Sequence, residues 1–164
     1  APLGGRGDTY YPQQIPMLPH FDYCSTIWGS GITRGGLEKL QRIQNSAMRI
    51  VLGCDSRTHI QDMISELSWM TVQQRMLYNL NCLVWKTCNN QVPVYLQNTF
   101  TLQGNIHRYN TRSSSHGAIA VLPSHKQSLL HNGTRSWNSL PHILQAQNCL
   151  STFKRELSSH LVAE

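Results

Sequence analysis

The helical character of the chain is clearest in the stretch Thr71-Val72-Gln73-Gln74-Arg75-Met76-Leu77-Tyr78-Asn79-Leu80-Asn81-Cys82-Leu83-Val84. Its first residues have the spacing of a capping box, in which Thr71 and Gln74 each bond to the backbone N–H of the other, so a long helix begins here. Asn89-Asn90 followed by Pro93 is expected to end it. Because an apolar stripe at helical spacing is typical of core packing, we expect no functional role for it. The predicted buried stripe consists of Met76, Leu77, Leu80, Leu83 and Val84.

Helical patterns continue on both sides of this stretch. Residues 33–52 carry apolar side chains at helical spacing and stop before Gly53, where a left-handed C-cap would sit. The predicted apolar face of that helix consists of Leu37, Leu40, Ile43, Ala47, Ile50 and Val51. Residues 19–28 are expected to form one helix with Phe21, Cys24 and Trp28 on one face. Further helices are predicted at 58–67 and 150–161.

These patterns predict a mainly α fold, an irregular helical domain of four to six helices with a polar, loop-rich stretch at 98–123. In that stretch the apolar run 118–122 is either one short strand or a docked loop. The 164 residues fit one domain, and we expect a monomer. Residues 1–17 are rich in Gly, Pro, Gln and Tyr without periodicity, so we expect an extended or disordered arm before a helical domain at 18–164. The aromatic anchors expected to be largely buried are Trp28, Trp69, Trp85 and Trp137.

Composition narrows the class of protein. With 40% hydrophobic and 13% charged residues, the chain is typical of a globular protein, and no run approaches the ~18 apolar residues of a membrane helix, so we expect a soluble protein without membrane insertion. Five cysteines without a C-x-x-C pair argue against a secreted disulfide framework and for an intracellular location. The scattered cysteines and histidines predict no metal site and no cofactor. No G-x-S-x-G nucleophile motif occurs, and we expect no catalytic residues.

The charge balance favours a polyanionic partner. Lys and Arg outnumber Asp and Glu by 14 to 8, a formal net charge of +6, which suits RNA, DNA or anionic lipid, although a basic protein need not bind any of them. On the predicted helix 33–52, a ridge with a single nearby acid, Glu38, is formed by Lys39, Arg42, Ser46 and Arg49. This ridge is either a solvated helix face or a phosphate-binding surface, and we select Lys39, Arg42 and Arg49 as candidate nucleic-acid contacts.

Two further segments carry candidate binding residues. Residues 107–115 mix cations, an aromatic ring and hydroxyls, which suits phosphate contact and base stacking but also an ordinary surface loop; its candidates are Arg108 and Arg112. On the N-terminal arm, Arg6-Gly7-Asp8 matches the tripeptide that integrins recognise. It provides the alternative function, a repurposed polypeptide that acts through protein or cell-surface contacts with an integrin-type receptor.

Several blocks of sequence occur in a recognisable order. They are Phe21-Asp22-Tyr23-Cys24-Ser25-Thr26-Ile27-Trp28-Gly29, Leu40-Gln41-Arg42-Ile43-Gln44-Asn45-Ser46-Ala47-Met48-Arg49-Ile50, Glu66-Leu67-Ser68-Trp69, Arg112-Ser113-Ser114, Trp137-Asn138-Ser139-Leu140-Pro141 and Phe153-Lys154. Through these blocks the chain resembles the C-terminal region of reverse transcriptases from non-LTR retrotransposons, the LINE-type elements of the jockey and CR1 kind, and the similarity extends over roughly 18–161, most of the chain.

The resemblance implies a thumb-like and post-thumb helical segment, which in that family lies beside template and primer. It also implies an intracellular location, nuclear or cytoplasmic. The family's polymerase palm holds paired aspartates that bind the catalytic metal ions, whereas this chain contains no Asp-Asp pair. The chain alone is therefore expected to be no enzyme, although its full-length parent would be an RNA-directed DNA polymerase.

Overall fold

Helices account for most of the computed structural model, which describes residues 17–105, 117–121 and 128–163. Among these residues nine α-helices occur, and five have eight residues or more, so the predicted mainly α fold is confirmed. They are α1 (Met17–Asp22), α2 (Ser25–Trp28), α3 (Arg34–Leu52), α4 (Ile60–Leu67), α5 (Val72–Cys88), α6 (Val94–Gln97), α7 (Leu129–Ser139), α8 (His142–Gln145) and α9 (Leu150–Ala163). Short 3-10 turns occupy Gly29–Gly31 and Gln103–Asn105.

Helix α5 is the centre of the fold. The predicted capping box is confirmed, since Thr71 Oγ1 accepts from the Gln74 backbone N–H and Gln74 Oε1 accepts from the Thr71 backbone N–H at 2.9 Å. Helices α1, α2, α3, α7 and α9 all pack against α5. Because it has neighbours on several sides, its burial is not confined to one stripe: Asn81 and Trp85 are buried, whereas the predicted core residues Met76 and Leu77 are only half-buried.

The main core lies between α5, α7 and α9 and is built on aromatic rings. Trp85 and Trp137 both contact Phe153, each with 5.8 Å between ring centroids. Their indole N–H groups are satisfied by backbone carbonyls, Trp85 by Gln147 at 2.8 Å and Trp137 by Gly117 at 3.0 Å. Trp69 is also buried, as predicted.

Trp28 is only half-buried, so the prediction of four buried tryptophans is wrong at this position. The cause is a break in the segment that was expected to form a single helix at 19–28. Cys24 adopts a left-handed conformation, with φ 49°, and separates α1 from α2. Cys24 is therefore exposed and shares no buried face with Phe21 and Trp28, while the Trp28 indole donates to the Tyr23 carbonyl at 2.7 Å.

The described part of the apolar run, residues 118–121, forms a docked segment with an isolated antiparallel bridge between Leu102 and Ile119. Ile119 is 1% exposed. The side chain of Asn138 donates to the Ile119 carbonyl and accepts from the Ile119 N–H, both at 2.9 Å, and so takes the place of a neighbouring strand. Phe100 packs here so closely on α7 that a Cβ atom on Gly133 would lie 2.7 Å from its ring, which is why that helix carries a glycine.

An ion pair connects the N-terminal helices to α5. The Arg75 guanidinium donates to both oxygens of Asp22, at 2.6 and 2.5 Å, and Asn79 donates to Asp22 Oδ1 and to Ser25 Oγ. Burial raises the pKa of the Asp22 carboxyl, but the hydrogen bonds from Arg75 and Asn79 and the charge of Arg75 outweigh it, so this pKa lies below its usual value of 3.8.

This ion pair predicts a pH dependence of stability. Because the folded pKa of Asp22 is lowered, the unfolded chain binds more protons between that pKa and about 4, and the stabilisation present above about pH 4 is lost as the pH falls through the folded pKa. Urea unfolding at a series of pH values should give Asp22→Asn a lower free energy of unfolding than the original chain near neutral pH. As the pH falls, the free energy of unfolding of the variant should decrease less steeply than that of the original chain. The exposed Glu66→Gln variant controls for removal of a carboxyl. Parallel acid declines for Asp22→Asn and the original chain would contradict the role of this pair.

Candidate nucleic-acid interface

Polar side chains of α3 are buried together with the apolar Ala47 and Met48 and help to set the orientation of this helix. Gln44 is fully buried and donates to the Met70 carbonyl at 2.7 Å, while Gln41 Oε1 accepts from the Val72 backbone N–H at 3.0 Å. Gln41 also donates to Gln44 and Asn45, both at 2.9 Å. This amide network satisfies backbone groups in the turn that precedes α5, which would otherwise lack partners. It therefore orients the Gln41 and Gln44 side of α3 toward that turn.

The outer face of α3 consequently differs from the predicted one. Ile43 and Ile50, assigned to the apolar core face, are 49% and 82% exposed, because the buried positions are taken by Gln44, Asn45, Ala47 and Met48. The isoleucines lie on the same side of the helix as the predicted cations. We define the basic surface of α3 by its exposed residues: Lys39, Arg42, Ile43, Ser46 and Ile50.

The charges of the basic surface are not neutralised by the nearest acid. Glu38 accepts from Arg34 at 3.2 Å, one turn away on the same helix. Among the residues that the structure describes, no carboxylate pairs with Lys39 or Arg42. Two exposed, uncompensated cations therefore stand one helical turn apart, a spacing that suits neighbouring oxygens of a polyanion.

Arg49 occupies a different environment from the other two predicted cations. It is half-buried, and its Nε is enclosed without a hydrogen-bond partner among the described residues. It lies in the last turn of α3, where a positive charge interacts favourably with the helix dipole. Gly53, which follows the helix, has the predicted left-handed conformation, with φ 61°. The structure thus brings Lys39 and Arg42 together on the exposed face and leaves Arg49 at its edge.

The other predicted site residues lie outside the described residues. These are the loop candidates Arg108 and Arg112 and the tripeptide Arg6-Gly7-Asp8. The structure therefore adds nothing to the adhesive alternative.

Within the described ranges, no cluster of three or more His, Cys, Asp or Glu side chains is arranged to hold a metal ion. All five cysteines are free thiols. Hydrogen bonds from the Ser151 hydroxyl and from the backbone at Thr152 and Ser151 lower the pKa of the exposed Cys149 to about 7, so this thiol is partly ionised near neutral pH. None of the described helices has the length and apolar character needed to span a bilayer.

Besides Gln44 and Asn45, sequence reasoning missed a further buried amide, in the helical core. Asn81 lies on α5 within the stretch that was expected to serve only for packing, and it is 1% exposed. The available signal was a carboxamide between Leu80 and Cys82 in an otherwise apolar part of a helix, because a buried amide requires partners for both ends.

What the chain does must be inferred from these residues. No protein-family model, no curated protein and no solved structure matches it.

Proposed function

We propose that this chain is a non-catalytic nucleic-acid-binding segment that holds the phosphate backbone of RNA or DNA on the basic surface of α3. The observation that carries the proposal is the pair Lys39 and Arg42, both exposed and without a carboxylate partner in the described part of the chain, beside an acid that is already bound to Arg34. When such cations neutralise phosphates, counterions condensed on the nucleic acid are released, and this release drives the binding.

The exposed isoleucines of the basic surface support the same proposal. Ile50 is 82% exposed and Ile43 is 49% exposed, next to Arg42. Nucleic-acid interfaces combine cations for phosphates with apolar side chains for sugars and for the faces of bases. A helix face that presents both kinds of group is therefore suited to bind a nucleic-acid strand with unstacked bases.

The resemblance to the post-palm region of LINE-type reverse transcriptases adds a second line of support, because that region lies beside template and primer in the family. In the block 40–50, the residues that hold the fold here are Gln41, Gln44 and Asn45, which form the amide network. Arg42, between them in sequence, is exposed. One side of this block therefore packs against the rest of the fold through the amide network, and the other side exposes a positive charge.

Direct binding tests this proposal. Because phosphate contacts carry no base information, fluorescence anisotropy should give about equal affinities for two single-stranded RNAs of unrelated sequence, each titrated with the chain at low salt. The affinities should fall together as salt is added. No measurable binding to RNA or DNA at low salt would overturn the proposal.

A further inference from the structure

Two isoleucines lie among the charged residues of the basic surface of α3. Ile43 is 49% exposed and Ile50 is 82% exposed. They are seven residues apart on one helix, so they lie two turns and about 10 Å from each other along its axis. The exposed Ser46 lies between them, and Lys39 lies one turn before Ile43 on the same line of the helix. We call Ile43 and Ile50 the isoleucine pair.

Neither the core nor the helix itself explains the isoleucine pair. Among the described residues, those of α3 that belong to the nearby apolar cluster or pack against it are Met48, Val51 and Leu52, on the other side of the helix. A β-branched residue is also a weaker helix former than Ala, Lys or Gln, so an exposed isoleucine gives a slightly less stable helix than one of these residues would. We therefore expect a partner that covers the pair.

The residues around the isoleucine pair limit the kind of partner. A second copy of the chain would bring two positively charged patches together, because a two-fold interface places one patch against itself. A helix that lies on a lipid surface needs a continuous apolar face, whereas the exposed side of α3 also carries Lys39, Arg42 and Ser46. A nucleic-acid strand offers phosphates to the cations and the faces of its bases to the isoleucines.

The faces of the bases are accessible only in an unpaired strand. In a duplex the bases are stacked on one another, so a protein helix meets phosphates, sugars and the edges of the bases. In a single strand, unstacked bases lie on apolar or aromatic side chains, and such contacts add affinity without reading the sequence. The cations of the basic surface therefore suit both forms of nucleic acid, whereas the isoleucine pair suits the single strand.

We propose that the isoleucine pair makes α3 selective for single-stranded RNA or DNA, with phosphates on the cations and the faces of unstacked bases on Ile43 and Ile50. This inference deepens the proposed function and rests on it. Lys39 lies four residues before Ile43, so a phosphate contact and a base contact are neighbours on one face of the helix. The cations supply the part of the affinity that falls with salt, and the isoleucine pair adds a part that depends little on salt.

The test compares an RNA of about twelve nucleotides and mixed sequence with the duplex that it forms with its complementary RNA, each titrated by fluorescence anisotropy. The original chain should bind the single strand more tightly than the duplex. Ile43→Ser/Ile50→Ser should weaken single-strand binding about tenfold and change duplex affinity by less than about twofold, because the major groove of duplex RNA is too narrow to be read. The slope of log K against log salt should not change for either RNA. Equal losses for the two RNAs, or a preference of the original chain for the duplex, would overturn the inference.

The matched control is Ile27→Ser/Ile143→Ser, which removes two isoleucines that are 66% and 62% exposed, on α2 and α8. It should leave the affinity for the single strand unchanged. A loss equal to that of the α3 variant would mean that only the total apolar surface matters, and this result would overturn the inference.

A second α3 variant decides even if the serine variant fails to fold. In Ile43→Phe/Ile50→Phe the aromatic rings stack on bases, so single-strand binding should become about threefold tighter while duplex binding stays the same. Circular dichroism checks that each variant is folded. Unchanged or weaker single-strand binding by the folded phenylalanine variant would overturn the inference.

Three outcomes separate this inference from the proposed function and from a lipid partner. Single-strand binding that is lost with Lys39→Glu/Arg42→Glu but unaffected by Ile43→Ser/Ile50→Ser would overturn the role of the isoleucine pair and leave the phosphate contacts standing. No binding of either RNA by the original chain at low salt would overturn both proposals. If the serine variant loses binding to phosphatidylserine vesicles but keeps its single-strand affinity, the pair serves a membrane surface and the inference is wrong.

Discussion

Replacement of Trp137 by Ala should lower the free energy of unfolding by ~3 to 5 kcal/mol, because the substitution removes a buried indole and leaves a cavity beside Phe153. Trp137 is 2% exposed, its ring contacts Phe153, and its N–H donates to the Gly117 carbonyl. Since small domains have only roughly 5 to 15 kcal/mol of stability, this variant should be close to unfolding at 25 °C. Urea denaturation followed by circular dichroism measures the effect.

The matched control is Trp28→Ala, which deletes the same side chain from a half-buried position in α2. We expect it to cost less than ~2 kcal/mol, because part of the ring already contacts water. A loss below ~1 kcal/mol for Trp137→Ala would place that residue outside the core and contradict the packing of α7 on α5 and α9.

The double charge reversal Lys39→Glu/Arg42→Glu should weaken binding to single-stranded RNA at about 0.1 M salt by roughly 25-fold, and to duplex DNA by roughly 60-fold. The reason is that two phosphate contacts are lost, each associated with the release of about 0.7 counterions from a single strand or 0.9 from a duplex. Both residues are exposed, so the fold should persist. Arg49 is excluded from the variant because a carboxylate at its half-buried position would disturb the fold itself.

The control for net charge is Arg57→Glu/Arg155→Glu, which makes the same change in formal charge at two exposed residues outside α3. It should reduce affinity much less than the reversal on α3, because distant charges are screened at this ionic strength. Equal losses from both double variants would mean that only total charge matters and that α3 holds no particular phosphate contact.

Local signals in the sequence predicted much of the fold. The Thr71 to Gln74 capping box, the left-handed cap at Gly53 and the aromatic anchor Trp137 each depend on a few neighbouring residues, and each is confirmed. The break at Cys24 was not predictable from periodicity, because the contacts of Asp22 next to the break are made with residues that are distant in sequence. Arg75 and Asn79 lie more than fifty residues away from Asp22 in sequence.

The candidate surface was only partly predicted, again because some of its determinants are contacts between residues that are distant in sequence. Charge and spacing identified Lys39 and Arg42, but hydropathy placed Ile43 and Ile50 in the core. A hydropathy pattern cannot show that the turn before α5 needs hydrogen-bond partners and that Gln44 supplies one, which rotates the isoleucines outward. The Asn81 oxygen, which has no partner among the described residues, is likewise a property of the packed helices, since only the fold decides which buried amides find both partners.

The most direct measurement of phosphate binding by α3 is the slope of log K against log salt for duplex DNA, determined for the original chain and for both double variants. If Lys39 and Arg42 contact phosphates, the slope of Lys39→Glu/Arg42→Glu should be smaller by about 1.8, while that of Arg57→Glu/Arg155→Glu stays close to the original. An identical slope for the original chain and the α3 variant would contradict phosphate binding by this surface.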